Sequence, residues 1–362
     1  MAYLSLSTAN LPDPAIDPAA GKEPADYFNT VMYEGNESTN VITGVGFQPD
    51  LVWTKRRNNT GGHRLVDSVR GVGKGLASHN TDAEYSEPNG VTSFDTDGFT
   101  LGNDDDYNKS AAATPVYVAW SWKANGSSVS NTDGSITSTV SANTTSGFSI
   151  VTYTGNATAG ATIGHGLNSV PQVLICKNRS AARPWTVYTE MTGNAKSLEL
   201  QSTGAAANST AFNNTTPTSS VFTVSADGVT NGSSENIVCY AFHSVDGFSK
   251  FGTYDDLYFS DYDVDSPFIY TGFRPAFVMI KGTSSGREWV MYDNKRTPDN
   301  GVYLRANTSA AEQTDATNHD ISFNANGFKI RGGSGDINTT NESYIYMAFA
   351  DQPFKYANGG TE

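Results

Sequence analysis

Two groups of closely spaced carboxylates are the first candidates for chemistry in this 362-residue chain. Asp104, Asp105 and Asp106 follow Asn103, and Asp255, Asp256, Asp261, Asp263 and Asp265 share one short stretch. Loop acids at such spacing are what calcium takes as oxygen ligands, which makes Asp104, Asp106, Asp261, Asp263 and Asp265 candidate ligands. Neither group follows the helical calcium-loop pattern, with its Gly and terminal Glu at fixed places. Solvated acidic loops that keep a β-rich chain soluble account for the same residues, and no cofactor is expected.

Aromatic side chains in polar, loop-like contexts form a second set: Tyr107, Tyr258, Phe259 and Tyr262. Such rings stack on sugar faces when exposed and fill cores when buried. The five histidines, His63, His79, His165, His243 and His319, show no metal-ligand spacing on a shared local element. The nucleophile elbow, phosphate-binding loop, zinc-protease helix and dinucleotide fingerprint are all missing from the sequence. A glycosidase needs two carboxylates at fixed separation in a cleft, and no acid recurs along the chain beside cleft-type aromatics. Catalysis is therefore not expected.

The elements that must position these residues repeat. Three segments share landmarks at a period of roughly 105 to 120 residues, the kind of self-similarity that marks a modular array. Each opens with a strand ending in Tyr, as in Val31-Met32-Tyr33, Val151-Thr152-Tyr153 and, more weakly, Phe251-Gly252-Thr253-Tyr254. Next comes Gly with a large apolar residue and then Pro: Gly46-Phe47 with Pro49, Gly166-Leu167 with Pro171, Gly272-Phe273 with Pro275. A Lys falls six residues past each Pro, at Lys55, Lys177 and Lys281, after apolar runs that suit strands buried on both faces. A third strand holds Leu65-Val66-Asp67, Trp185 to Tyr188 and Trp289 to Asp293, the first copy having its Trp at Trp53 instead. Asp97-Gly98, Asp227-Gly228 and Asn326-Gly327 are hairpin-type turns in which both residues tolerate positive φ.

The last strand is the most regular, centred on Ala119, Ala241 and Ala348, which lie 64, 64 and 67 residues past the Lys. Strand alternation puts Val118, Trp120 and Trp122 on one face, as it does Val238, Tyr240 and Phe242, and Ile345, Met347 and Phe349. This large face is expected to point into the core of its own copy, with a second layer or a neighbouring copy packed on the Ala side.

The expected fold is all-β: three tandem antiparallel β-sandwich (jelly-roll-like) modules with an extended N-terminal arm. The boundaries are residues 1–25 for the arm, 26–124, 146–246 and 247–355 for the modules, and 356–362 for a tail. Residues 125–145, rich in Ser, Thr and Asn, read as a linker or an edge strand. Pro12, Pro14, Pro18 and Pro24 favour an extended arm over a helix. A short connector at 243–250 implies that the second and third modules share an interface.

Composition sets the remaining bounds. Gly, Pro, Tyr and Phe are abundant, which favours short strands and turns. A net charge of −14 and a pI near 4.7 repel phosphate backbones and anionic membranes, so nucleic acid is not an expected partner, the run Lys55-Arg56-Arg57 notwithstanding. No run of about 18 apolar residues occurs, so no membrane insertion is expected, and the start lacks secretory-signal character. Cys176 and Cys239 are too few for a disulfide scaffold, although strands of one module can bring them together.

Several stretches of the first copy carry a family resemblance: Tyr27-Phe28-Asn29-Thr30-Val31, Gly46-Phe47-Gln48-Pro49-Asp50-Leu51-Val52-Trp53, Asp67-Ser68-Val69-Arg70-Gly71, Thr92-Ser93-Phe94-Asp95-Thr96-Asp97-Gly98-Phe99 and Tyr117-Val118-Ala119-Trp120. They resemble a module repeated in virion proteins of tailed bacteriophages, especially marine ones. Asp133-Gly134-Ser135-Ile136 through Gly147-Phe148-Ser149-Ile150 looks like the entry to a second such module. The resemblance covers the first two copies and fades in the third, and it brings no catalytic residues with it.

What it implies is a structural protein of the virion, assembled in the host cytoplasm. The first expectation is a tail-associated fibre or adhesin that docks to other virion proteins through its N-terminal arm and contacts a host glycan or protein. A capsid decoration protein and a polysaccharide-degrading tail enzyme are the alternatives. The chain is either a homo-oligomer, such as the trimer common among fibres, or a single chain that imitates a trimer through its three copies.

Overall fold

Four strands recur in each copy in the same spatial order, and that order explains where the apolar runs go. We call them entry (Phe28–Tyr33, Phe148–Thr154, Ser249–Asp255), Pro–Lys (Leu51–Arg56, Val173–Asn178, Phe273–Gly282), third (Arg64–Asp67, Thr186–Thr189, Trp289–Asp293) and closing (Tyr117–Trp122, Asn236–Phe242, Ser343–Pro353). In the computed structural model, which describes residues 8, 11–110, 117–255, 266–297, 299 and 301–357, each main sheet runs entry, closing, Pro–Lys, third. All described pairings between these strands are antiparallel. The closing strand, the last of the four in the chain, is thus inserted between the entry and Pro–Lys strands of its copy. The chain is all-β apart from short helical turns.

Residues 125–145 contribute Val129–Asn131 and Ser138–Asn143, which extend the second main sheet beyond its entry strand. Cys176 and Cys239 stand opposite each other on the Pro–Lys and closing strands of the second copy and form a buried disulfide.

A smaller sheet accompanies each main sheet. It comprises Asn40–Ile42, Gly98–Leu101 and Val91–Asp95 in the first copy, Ala161–Gly164 and Val221–Val224 in the second, and Phe268–Tyr270, Gly327–Ile330 and Ile321–Asn324 in the third. Tyr33, Phe99 and Tyr117 pack between the two sheets of the first copy; Tyr153, Phe222 and Cys239 do so in the second, and Tyr254, Phe328 and Tyr346 in the third. Two of the three expected hairpin turns are found, at Asp97-Gly98 and Asn326-Gly327. At both, a Cβ would fall within about 2 Å of the carbonyl oxygen of Ile42 or Ile269, so only Gly fits. Asp227-Gly228 differs: Asp227 caps the short helix Gly228–Asn231 by accepting from the Val229 amide at 3.0 Å. Its counterpart in the first copy is Asp104, not Asp97, because an Asp before two free amides serves as an N-cap as readily as it enters a hairpin.

The large faces of the closing strands turn away from their own copies, contrary to the expectation that each fills its own core. Trp120 and Trp122, Tyr240 and Phe242, and Met347 and Phe349 all lie in one apolar cluster that draws on the three main sheets. Phe349 stacks on Phe28 and meets Phe242, which joins the three copies in one aromatic contact set. Only a small cavity of about 20 Å³ remains there, between Trp122, Phe242 and Phe349. The opposite face, with Tyr117 and Ala119, Cys239 and Ala241, and Tyr346 and Ala348, meets the second layer of its own copy. Pairing with Leu51, Val173 and Phe277 also fixes the register: Trp122, Phe242 and Phe349 are equivalent. Ser121, rather than Ala119, therefore matches Ala241 and Ala348, since the first copy is offset by two residues.

The segment from Leu11 to Ala25 is not extended. Pro18–Ala20 and Pro24–Asp26 form 3-10 turns, with proline in a first position where its missing N–H costs nothing. Ile16 is 0% exposed within the shared apolar cluster, and the Tyr356 hydroxyl donates to Asp17 at 2.6 Å. An isolated apolar residue among prolines is what pulls this segment onto the body. Residues 1–7, 9 and 10 lie outside the described residues.

Candidate functional site

The expected site residues do not come together. Tyr107 is a core residue, 0% exposed, whose hydroxyl donates to Glu87 Oε2 and whose carbonyl accepts from the Tyr33 hydroxyl at 2.9 Å. It presents no face to a sugar. Asp104 is consumed as the N-cap of Asp105–Asn108, accepting from the Asp106 amide at 2.9 Å, and Asp106 pairs with Arg64. These bonds orient both carboxylates for folding, and no group of three or more potential metal ligands occurs among the described residues. Tyr258, Phe259, Tyr262, Asp261, Asp263 and Asp265 lie outside the described residues.

The residues that recur do meet, at the junctions between copies. Trp185 Nε1 of the second copy donates to the Ala77 carbonyl of the first at 2.8 Å, and Trp289 Nε1 of the third donates to the Glu199 carbonyl of the second at 3.0 Å. The first copy completes the cycle through His63, which stands, like those tryptophans, eight residues past the recurring Lys. His63 Nε2 reaches the Arg305 carbonyl of the third copy at 3.0 Å, while Trp53 Nε1 donates to His63 Nδ1 at 2.9 Å. A backbone bond repeats the same cycle: Glu84 N to Arg179 O, Ala206 N to Thr283 O, and Glu312 N to Arg57 O. Two of these junctions add bidentate ion pairs, Arg179 with Glu84 and Arg57 with Glu312. Each contact is head-to-tail and the third returns to the first, which is how a heterologous interface closes into a ring.

Two of the three recurring lysines serve this ring as well. All three are fully buried, and Lys177 and Lys281 donate across a junction to the carbonyls of Thr81 and Thr203 at 3.3 and 2.9 Å. Lys55 donates within its own loop to Arg56 and Asn59. Burial lowers their pKa values, to about 7 for Lys55 and about 8 for Lys177 and Lys281.

One polar cluster belongs to the third copy alone. His319 lies under the Tyr303 ring, with Nδ1 3.4 Å from Asp315 and Nε2 3.3 Å from Asp336 and 2.9 Å from Ser334 Oγ. A Ser–His–Asp set invites comparison with a nucleophile and its base. Here a carboxylate flanks each ring nitrogen, so Ser334 shares Nε2 with Asp336 instead of facing a free base. The cluster is suited to clamping the loop that carries Ser334. The sequence signal for part of it, Asp315 four residues before His319, is present but weak.

The other feature specific to the third copy is the outer face of its small sheet. Phe268–Tyr270 is an edge strand buried only at its middle residue: Ile269 points inward, while Phe268 and Tyr270 are 46% and 54% exposed. Phe268 stands opposite Lys329 and Tyr270 opposite Gly327, and the next strand places Ser322 and Asn324 beside them. Cross-strand partners share a face, so the rings, the ammonium, the hydroxyl and the amide form one surface. Lys250 Nζ lies 5.3 Å from the Tyr270 ring centre. Sequence reading missed this pair because Phe268-Ile269-Tyr270 reads as an apolar run with no mark of which residues face outward.

No curated protein and no solved structure matches the chain. A family described as a domain of unknown function (DUF7483) matches residues 23–353, so that one family model takes in all three copies.

Proposed function

The chain belongs to the DUF7483 family, whose description carries no activity, and we propose, from the resemblance of its first two copies to phage virion modules together with its geometry, a non-catalytic virion structural protein, tail-associated, that displays binding surfaces to a host. In this reading each main sheet and its small sheet form one β-sandwich module, and the three tandem modules act as a single-chain counterpart of a trimer. The observation that carries the reading is the division of labour between copies. Lys177, Lys281, Trp185, Trp289 and His63, at the recurring positions, are spent on closing the ring, while the outer face of the small sheet differs from copy to copy. A rigid body with variable outward surfaces suits display, and a ring of three suits attachment at a position of threefold symmetry.

Anchoring to other virion proteins is assigned to the N-terminal segment, of which the part from Leu11 onward is built into the body. The closed ring also supports a second reading, a decoration protein seated on a local threefold of a capsid shell. Immunogold labelling of particles with an antibody to the chain tests both. Label on the tail together with binding of the purified chain to host cells is expected; label on the head without cell binding favours decoration. Absence from particles, or release of reducing ends from host polysaccharide by the purified chain, overturns the proposal.

A further inference from the structure

We propose that the junction between the third and first copies is an acid-sensitive seam, which parts at mildly acidic pH while the other two junctions stay closed. This inference concerns the ring alone and holds whether or not the chain displays binding surfaces.

Covalent continuity separates the junctions first. The chain passes directly from the first copy to the second and from the second to the third, but it does not run from the third back to the first. That junction is bridged instead by the segment before Phe28, which is continuous with the first copy. It is held on the third by the Tyr356–Asp17 bond of 2.6 Å and the Lys355–Asp13 ion pair, with Ile16 in the shared cluster. Parting this seam therefore leaves both connectors between copies in place.

Residue types separate them second. At the recurring junction position, Trp185 and Trp289 offer indoles that do not titrate, whereas His63 offers an imidazole that must stay neutral to hold both Trp53 and the Arg305 carbonyl. The recurring lysines differ likewise. An ammonium on Lys177 or Lys281 donates across its junction, to Thr81 or Thr203, so a proton gained there strengthens the closure. Lys55 donates to the Arg56 and Asn59 carbonyls of its own copy, so a proton gained there adds charge to the seam while its bonds stay within the first copy.

Acid adds cations to this seam where the carboxylates are already committed. Around Lys55 and His63 stand Arg56, Arg57 and His79 of the first copy and Arg296, Arg305 and Glu312 of the third. Glu312 is shared by Arg57 and Arg296, and Arg296 also holds Asp293. Arg305 has Glu288 and Asp336 beside it, and Arg64, next to His79, pairs with Glu87 and Asp106. The His79 ring lies 6.4 Å from that of His63, and its Nδ1 is buried without a partner. Burial and the surrounding cations hold His63 well below its ordinary range and His79 at about 4, against the pull of Asp106 and Asp82 on the latter. A histidine held low in the closed seam gains its proton as the seam parts. Opening therefore takes up protons and is favoured as pH falls from the ordinary value near 6.5 toward 4. Burial draws Lys55 down to about 7, so it already carries its charge across that window.

The test is amide hydrogen exchange of the full chain at pH 7.5 and pH 5, read as protection factors at three equivalent amides: Glu312 at this seam, and Glu84 and Ala206 at the other two junctions. Local parting exposes an amide without a separate thermal transition, so exchange detects it in a chain that unfolds as a unit. Glu312 should lose about tenfold or more in protection between the two pH values, while Glu84 and Ala206 change by less than about threefold. His63→Gln keeps an acceptor for Trp53 and a donor for Arg305 without titrating, and combined with His79→Gln it should hold the Glu312 loss below about threefold. His79→Gln alone, a change at a partly exposed position that leaves His63 in place, should at least halve the loss. Equal loss at all three amides assigns the acid effect to the whole fold and overturns the proposal. So does a Glu312 amide that keeps its protection, or a loss that both variants leave unchanged.

Discussion

Trp120 Nε1 of the first copy donates to Asp293 Oδ2 of the third at 2.9 Å, although 173 residues separate them. Tyr240 of the second copy makes the equivalent bond to Asp67 of the first at 2.8 Å. Each acid is held in turn by an arginine three residues on, Arg296 or Arg70, and both ion pairs are fully buried. The third occurrence is apolar at the donor and uncharged at the acceptor: Met347 stands where Trp120 and Tyr240 do, and Thr189 and Thr192 replace the Asp and Arg. The donor and the ion pair it serves are lost together.

That pattern predicts a non-additive mutant series. Asp67→Ala leaves Arg70 buried with only its second carboxylate, Glu84 at 3.0 Å, and takes the acceptor from Tyr240, and it should cost about 3 kcal/mol. Converting the whole set to its third form, Asp67→Thr/Arg70→Thr/Tyr240→Met, removes both charges and the donor at once and should cost distinctly less. Denaturant midpoints of the single and triple variants check this, and a triple variant less stable than the single one refutes it.

Alkaline behaviour should report the buried lysines. A Lys whose folded pKa is depressed makes its full contribution above its unfolded value near 10.5 and loses it as pH falls toward the folded value. For Lys55 the window therefore runs from about 7 upward, with a slope of up to about 1.4 kcal/mol per pH unit. The stability of the wild type relative to Lys55→Met should rise between pH 7 and pH 9.5. A difference that stays constant over that range contradicts the assignment.

How much of this was legible beforehand differs by level. The grouping of Val118, Trp120 and Trp122 with Val238, Tyr240, Phe242 and Ile345, Met347, Phe349 follows from strand alternation, and the observed register keeps it. Where that face points does not follow from alternation, because a strand buried on both faces carries no mark of which side meets its own copy. The role of His63 was hidden by residue type: Trp53 looked like the displaced tryptophan, whereas the equivalent position holds a histidine that Trp53 supports. Tyr107 misled for the opposite reason, since polar neighbours in sequence say nothing of the Glu87 acceptor that permits its burial.

Unfolding should be a single event. The three copies contribute to one apolar cluster, so none has a complete core of its own on both faces of its main sheet. Calorimetry of the whole chain should show one transition. Residues 26–124 expressed alone expose Phe28, Leu51, Trp53, Trp120 and Trp122, and should self-associate. Sedimentation of that fragment as a stable monomer, or separate thermal transitions in the whole chain, would argue against a shared core.

His63 gives the sharpest test of ring closure, because it has two partners and one proton. Trp53 donates to Nδ1, which leaves Nε2–H to donate to the Arg305 carbonyl, so the neutral ring alone satisfies both bonds. Burial holds the imidazole well below its ordinary range, in keeping with that state. Its contribution is complete above the unfolded value near 6.5 and is lost as pH falls below it, since the unfolded chain then takes up a proton that the folded chain refuses. His63→Ala leaves an indole N–H and a carbonyl without partners and should cost about 2–4 kcal/mol at pH 7. The gap between wild type and variant should narrow by pH 5. A gap that widens on acidification would mean that the folded ring carries the proton, and that His63 closes the ring as a cation.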